Sequence, residues 1–213
     1  YIHAPNVEAD RKHRCLYSPF MVVDSAGING FHEDKVENHV SKSNQNEAMI
    51  VCKHVEVLLN AGVQPQDIAV ISPYRGQVKI LRQLINHSGI EIGTVDGFQG
   101  REKEAVIISF VRSNDEHVIG FLKDDRRTNV AVTRAKRHCC LFFNSETLEK
   151  HRFLKDLVDY AYKVADVRMA DEYSVDDVDV IDHYVEMQPL KNETDVNDEE
   201  EEEEKGNDEN AKS

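Results

Sequence analysis

The sequence contains no run of about 18 consecutive apolar residues, which rules out a bilayer-spanning helix and any expectation of a membrane partner. Its cysteines number only four, Cys15, Cys52, Cys139 and Cys140, and their separations match none of the ligand spacings that metal sites use. No metal ligand is therefore assigned. Without a disulfide framework, reduced structural thiols in an intracellular protein, in nucleus or cytoplasm, are the simplest expectation. No secretory leader is expected, and since the first residue is Tyr1 rather than Met, the chain is expected to be a piece of a longer polypeptide.

Charge is present in abundance, and its distribution matters more than its sum. The net charge of −14 suggests a protein that avoids nucleic acid. From Asp171 to Ser213, however, there are 18 acidic and 3 basic residues, leaving 22 acidic and 23 basic residues in positions 1–170. The body is thus close to neutral. Within the tail, Asp195 to Asn210 contains the run Glu199 to Glu204 and almost no apolar residue, so it has too little surface to bury to offset the entropy of ordering. The tail reads as disordered, either as a solvating appendage or as a segment with its own protein partner.

Hydrophobic periodicity predicts alternating strands and helices. Met21 to Asp24 reads as a strand, as do Asp67 to Ile71, Ile90 to Val95, Ala105 to Val111 and His138 to Phe143. Asn44, followed three residues later by Glu47, predicts a reciprocal capping pair at the start of a helix that Gly62 stops. Further helices are expected after Tyr74, from Asp125 to Lys136 and from Ser145 to Val164, the last with Leu148, Phe153, Leu154, Leu157 and Tyr160 on its apolar side. Such alternation implies an α/β fold, a mostly parallel sheet flanked by helices in three layers.

The polar segments carry the chemistry. Val95-Asp96-Gly97-Phe98-Gln99-Gly100-Arg101-Glu102 is a glycine-bracketed loop between two apolar strands, either a ligand site or a decorated turn. If the strands are parallel, Ser72 to Gln77, Asp96 to Glu102 and Arg112 to Asn114 should meet at one edge of the sheet. The helix after Asp125 repeats arginine among apolar residues, with Arg127, Val130 and Arg134 on one side and Ala131 and Ala135 as a close-packing stripe. A planar guanidinium suits phosphate oxygens.

These segments, in order, resemble motifs IV, V and VI of superfamily 1 helicases: Ile71-Ser72-Pro73-Tyr74-Arg75-Gly76-Gln77; Val95 to Glu104; Ser109 to Asn114; and Gly120-Phe121-Leu122 through Arg126-Arg127-Thr128-Asn129-Val130-Ala131-Val132-Thr133-Arg134-Ala135-Lys136. The branch is the one holding the nonsense-mediated-decay helicase and the immunoglobulin mu-binding helicase, known in yeasts as DNA helicase A. The resemblance implies a second RecA-like domain over residues 21–173, preceded by an irregular lead-in at 1–20 and followed by the acidic tail at 174–213. In such proteins two RecA-like domains clamp ATP and magnesium and move 5′ to 3′ along a single strand of DNA or RNA.

By that resemblance Arg134 is the arginine finger, Glu102 contacts the nucleotide near its ribose, Gly100 lets the backbone approach, and Gln99 links nucleotide to strand. Ser72, Pro73, Tyr74, Thr94 and Arg112 lie against the nucleic-acid backbone. Tyr74 has two readings, a base-stacking ring or a core-edge residue. The Gly-x-x-x-x-Gly-Lys-Ser/Thr loop and the magnesium-holding Asp-Glu pair are missing, and both belong to the first RecA-like domain of the family. The implied cofactor would accordingly be held mainly by that domain in the same polypeptide, and the present chain alone would be inactive. The competing reading is a non-catalytic RecA-like interaction module whose acidic tail binds a partner.

Overall fold

Short runs of β-branched and apolar residues assemble into one fully parallel sheet of six strands: β1 (Phe20–Asp24), β2 (Ile68–Ile71), β3 (Glu91–Gly93), β4 (Lys103–Ser109), β5 (Ala135–Phe143) and β6 (Asp166–Met169). Their order across the sheet is β3-β2-β4-β5-β1-β6. The helices are α1 (Gln45–Asn60), α2 (Arg75–Leu84), α3 (Asp125–Val132), α4 (Ser145–Leu148) and α5 (Arg152–Val164). The computed structural model describes residues 18–34 and 41–173. The expected disordered tail at 174–213 and nearly all of the irregular lead-in lie outside them.

Strand alternation sorts the core into two layers. Met21, Val23, Val70, Ile107, Cys140 and Phe142 face α1 and α2, while Val22, Ile71, Val106, Ile108, Cys139 and Leu141 face α3, α4 and α5. The adjacent cysteines thus point to opposite faces, as their place in a strand requires. Burial pushes the Cys139 thiol up to about 12, which leaves it protonated and unreactive.

Several elements depart from the expected bounds. The helix predicted to reach Lys136 ends at Val132, because Lys103 pairs with Ala135 and draws the chain into β5. Thr133 caps the helix and donates its hydroxyl to Asn129 O at 2.9 Å. Sheet pairing overrides the helix propensity of the Arg-Ala-Lys-Arg run. The predicted long helix from Ser145 splits into α4 and α5. Leu148 and Leu154 are both fully buried, and six residues apart they would face different sides of one straight helix. The inward face of α5 is Leu154, Val158 and Ala161, and Tyr160 is 59% exposed.

At the start of α1 the expected reciprocal cap is half formed. Asn44 Oδ1 accepts from Glu47 N at 3.1 Å, but the Glu47 carboxylate turns into the core. Gln77, from α2, takes its place: its Oε1 accepts from Asn44 N at 2.8 Å and its Nε2 donates to Asn44 O at 3.1 Å. Gly62, at φ 90°, follows α1 in the left-handed conformation expected of it.

The expectation that three polar segments meet at one edge holds for two of them. Ile71, Gly93 and Ile108 lie level, so the residues after β2, β3 and β4 emerge together. The chain between Gly93 and Lys103 then has to return to the opposite edge to begin a parallel strand. Gly93 therefore ends at the carboxyl edge and Lys103 begins at the amino edge, roughly 16 Å apart along the strand direction at 3.3 Å per residue, with Thr94 and Glu102 just beyond them.

Candidate functional site

The segment from Thr94 to Glu102 is fastened at its middle. Val95 and Phe98 are buried in a 3₁₀ turn over the sheet, and a Cβ on Gly93 would lie 3.3 Å from the Phe98 ring. Asp96, at the turn, pairs with Arg127 of α3 at 3.2 Å. Beyond the turn, Gln99, Gly100 and Glu102 are exposed. Gly100 takes φ 75°, with open space where a Cβ would stand, so the backbone there is approachable and side-chain substitution is strained.

Arg134 comes to the same place from the other side. Its Nε donates to Val130 O at 2.8 Å, its Nη1 to Arg101 O at 3.4 Å and its Nη2 to Thr133 Oγ1 at 3.0 Å. The carbonyl end of α3 carries partial negative charge and draws the guanidinium back over the helix. Arg134, Gln99, Gly100 and Glu102 thus form one group at the amino edge. A polyphosphate fits this group: there is an accessible guanidinium, an open glycine backbone and exposed polar side chains, but no loop of backbone donors to cradle it.

The predicted strand-facing residues form a second group at the carboxyl edge, and three of them look inward. Ser72 is wholly buried, with its Oγ accepting from Tyr74 N at 3.4 Å. Tyr74 is 2% exposed; its hydroxyl donates to Ile119 O at 3.1 Å, and its ring packs beside Phe121. Of the two readings of Tyr74, the core position is the one it occupies. Arg112 is buried as well, its Nε donating to Glu33 Oε2 at 2.7 Å. Pro73 and Thr94 are half-buried and reach the surface.

Residues that pattern reading passed over hold this edge together. Glu33 gathers Arg112, Asn114 Nδ2 at 2.9 Å, Ser113 N at 3.2 Å and Lys42 at 3.2 Å. Burial opposes its ionisation, but the bonds from Arg112, Asn114 and Lys42 outweigh it and hold the carboxyl below its ordinary value. Glu47 accepts from Ser109 Oγ and from Val111 N, and burial raises it to about 7. Glu33 lies in a stretch of mixed charged and polar residues, with no signal in its own neighbourhood.

Among the described residues one trio has metal-ligand chemistry: His54, His138 and Cys140, all buried, with ligand atoms within 4.8 Å of one another. Their sequence separations hid them from a spacing search. His138 Nδ1 faces Ser18 O at 2.9 Å, and since a carbonyl only accepts, that nitrogen carries the proton. In the neutral ring Nε2 then accepts from His54 Nε2 at 3.0 Å, so a cation here would have to displace an existing hydrogen bond. Burial lowers both histidines below the ordinary value, that of His54 further through the charge of His138.

A six-stranded parallel sheet with helices on both faces is a RecA-like α/β fold, the architecture expected of a superfamily 1 helicase domain. The family comparison agrees: residues 2–146 match the model described as "AAA domain", and the chain belongs to that family, in the branch of the nonsense-mediated-decay and immunoglobulin mu-binding helicases. It is 51% identical over 162 residues to the "DNA-binding protein SMUBP-2" of Rattus norvegicus, covering 75% of this chain and 16% of that protein. Over 139 residues it is 48% identical to the "DNA polymerase alpha-associated DNA helicase A" of Schizosaccharomyces pombe, covering 64% and 20%. Over 126 residues it is 43% identical to the "Regulator of nonsense transcripts 1" of Caenorhabditis elegans, covering 55% and 12%. The aligned part of the chain spans between about an eighth and a fifth of these relatives.

Proposed function

We propose that this chain is the second motor domain of an ATP-dependent helicase acting 5′ to 3′ on single-stranded DNA or RNA, with Arg134 as its arginine finger. The observation that carries the reading is the convergence of Arg134 Nη1 on Arg101 O, which brings the arginine beside Gln99, Gly100 and Glu102. Magnesium-ATP, held mainly by a first RecA-like domain of the same polypeptide, supplies the transferable phosphoryl group. The proposed domain spans residues 21–173 of an intracellular protein of nucleus or cytoplasm.

Among the described residues, the acceptors of Arg134 are three neutral oxygens. A charged phosphate oxygen forms hydrogen bonds roughly twice as strong, so it draws the guanidinium off the helix end and holds it against the developing charge. Gly100 lets the backbone close on the nucleotide, Glu102 reaches the ribose, and Gln99 ties that contact to the turn. Because Val95 and Phe98 pin the middle of the segment, a displacement at Glu102 is passed to Thr94, which with Pro73 lies against the strand. Ser72, Tyr74 and Arg112 serve that edge by holding its backbone in shape.

The test is Arg134→Ala in the full-length protein. Strand-stimulated ATP hydrolysis should fall on the order of 10³-fold or more, with strand affinity nearly unchanged. An unaltered hydrolysis rate removes the finger role and favours a non-catalytic interaction module.

A further inference from the structure

Along the outer face of α2 the chain carries Arg75, Lys79 and Arg82, one turn apart, and no acidic residue anywhere in the helix. In a body of near-neutral charge this is a one-signed stripe. It borders a groove of about 470 Å³ between α2 and Thr94, the residue after edge strand β3, lined by Arg75, Val78, Lys79, Arg82, Gln83 and Thr94. All three cations are exposed.

Among the described residues, the acids on either side of Thr94 are engaged elsewhere. Glu91 pairs with Arg101 at 3.0 Å and Lys103 at 2.8 Å, and Asp96 pairs with Arg127. Neither Arg75 nor Lys79 has a carboxylate partner among the described residues. Arg82 donates from Nε at 3.2 Å and from Nη2 at 2.8 Å to Ile92 O, so the side chain is fixed to the edge strand and one wall of the groove is stiff.

We propose that this groove binds the phosphodiester backbone of the single strand and extends its track from Thr94 down α2. The inference rests on the motor reading, which places the strand at Pro73 and Thr94; α2 begins directly after Tyr74, so the stripe continues that edge. The groove lining has no aromatic ring on which a base could stack, and its cations suit phosphates alone. Binding there is therefore independent of base sequence and sensitive to salt.

The experiment uses the full-length protein, oligothymidylate strands of graded length and the double variant Arg75→Ala, Lys79→Ala. On strands long enough to pass Thr94, the double variant should bind on the order of tenfold more weakly at low salt. The slope of log affinity against log salt should shrink by about 1.4, for two phosphate contacts at about 0.7 each. Strands too short to leave the central track should bind both proteins equally, and Arg75→Lys with Lys79→Arg should keep wild-type behaviour on long ones. An identical slope for wild type and double variant on long strands overturns the groove while leaving the motor reading intact. Failure of the wild type to bind any strand overturns the motor reading itself, and the groove with it.

Discussion

The carboxylate of Glu47 accepts a hydrogen bond at 2.9 Å from the backbone N–H of Val111, a β-branched residue with φ 71°. Asn44 Nδ2 donates to Val111 O at 3.3 Å, so the first turn of α1 grips both peptide groups of a residue in the left-handed region. Such a conformation costs on the order of 1–3 kcal/mol and persists only where neighbours hold it. Here it ends β4 and turns Arg112 back onto Glu33.

Glu47 should leave a mark on the pH dependence of stability. Its folded value, raised to about 7, exceeds the ordinary 4.5, so its contribution is whole below pH 4.5 and is lost as pH rises through 7. The difference is on the order of 3 kcal/mol. His54 and His138, lowered by burial, act in the opposite sense: their contribution is whole above about 6.5 and is lost as pH falls below it. In the wild type the two trends oppose each other between pH 4.5 and 7. Glu47→Gln keeps an acceptor for Val111 and removes one trend, so its urea midpoint should fall more steeply on acidification than that of the wild type.

The pair of Arg112 with Glu33 is buried on both sides, with side-chain exposures of 6% and 7%. Arg112→Met should destabilise by about 3–5 kcal/mol, because it leaves a buried carboxylate without its main partner. Replacing both, with Glu33→Gln added, should recover part of the loss. Denaturant unfolding of the two variants checks the order.

Gly120 takes φ 54°, and a Cβ there would collide with the Arg112 guanidinium and press on the Tyr74 hydroxyl. Gly120→Ala should cost roughly 2 kcal/mol or more. Gly97 has open space around it, and Gly97→Ala should stay within about 0.5 kcal/mol. Thermal unfolding of the two alanine variants makes the comparison.

Tyr74→Phe keeps the ring in the core and removes its hydrogen bond to Ile119 O. Stability should drop by about 1 kcal/mol. Strand affinity, measured by fluorescence anisotropy, should not change, because the hydroxyl faces the interior.

How far the sequence could be read depended on the range of the cause. Strand cores such as Ile68–Ile71, the Asn44 side-chain cap, the Gly62 stop and the opposed directions of Cys139 and Cys140 follow from local periodicity and backbone geometry. The segments around Gln99, Glu102 and Arg134 stood out because polar groups bracketed by glycine and apolar runs are locally unusual. Glu33 and His54 carried no such mark, and Gln77 stood out only as the end of the segment from Ser72, not as a cap. Each earns its place from a partner tens of residues away: Arg112, His138 and Asn44.

By itself, then, the sequence determined the alternating α/β layers, the apolar faces and the composition of the charged loops, since these depend on neighbours within a turn or a strand. Tertiary structure decided the rest. It cut α3 short by pairing Ala135 with Lys103, turned Tyr74 inward and drew Glu47 out of its cap. It also carried the segment from Thr94 to Glu102 from one edge of the sheet to the other, because a parallel strand must start where its neighbour starts.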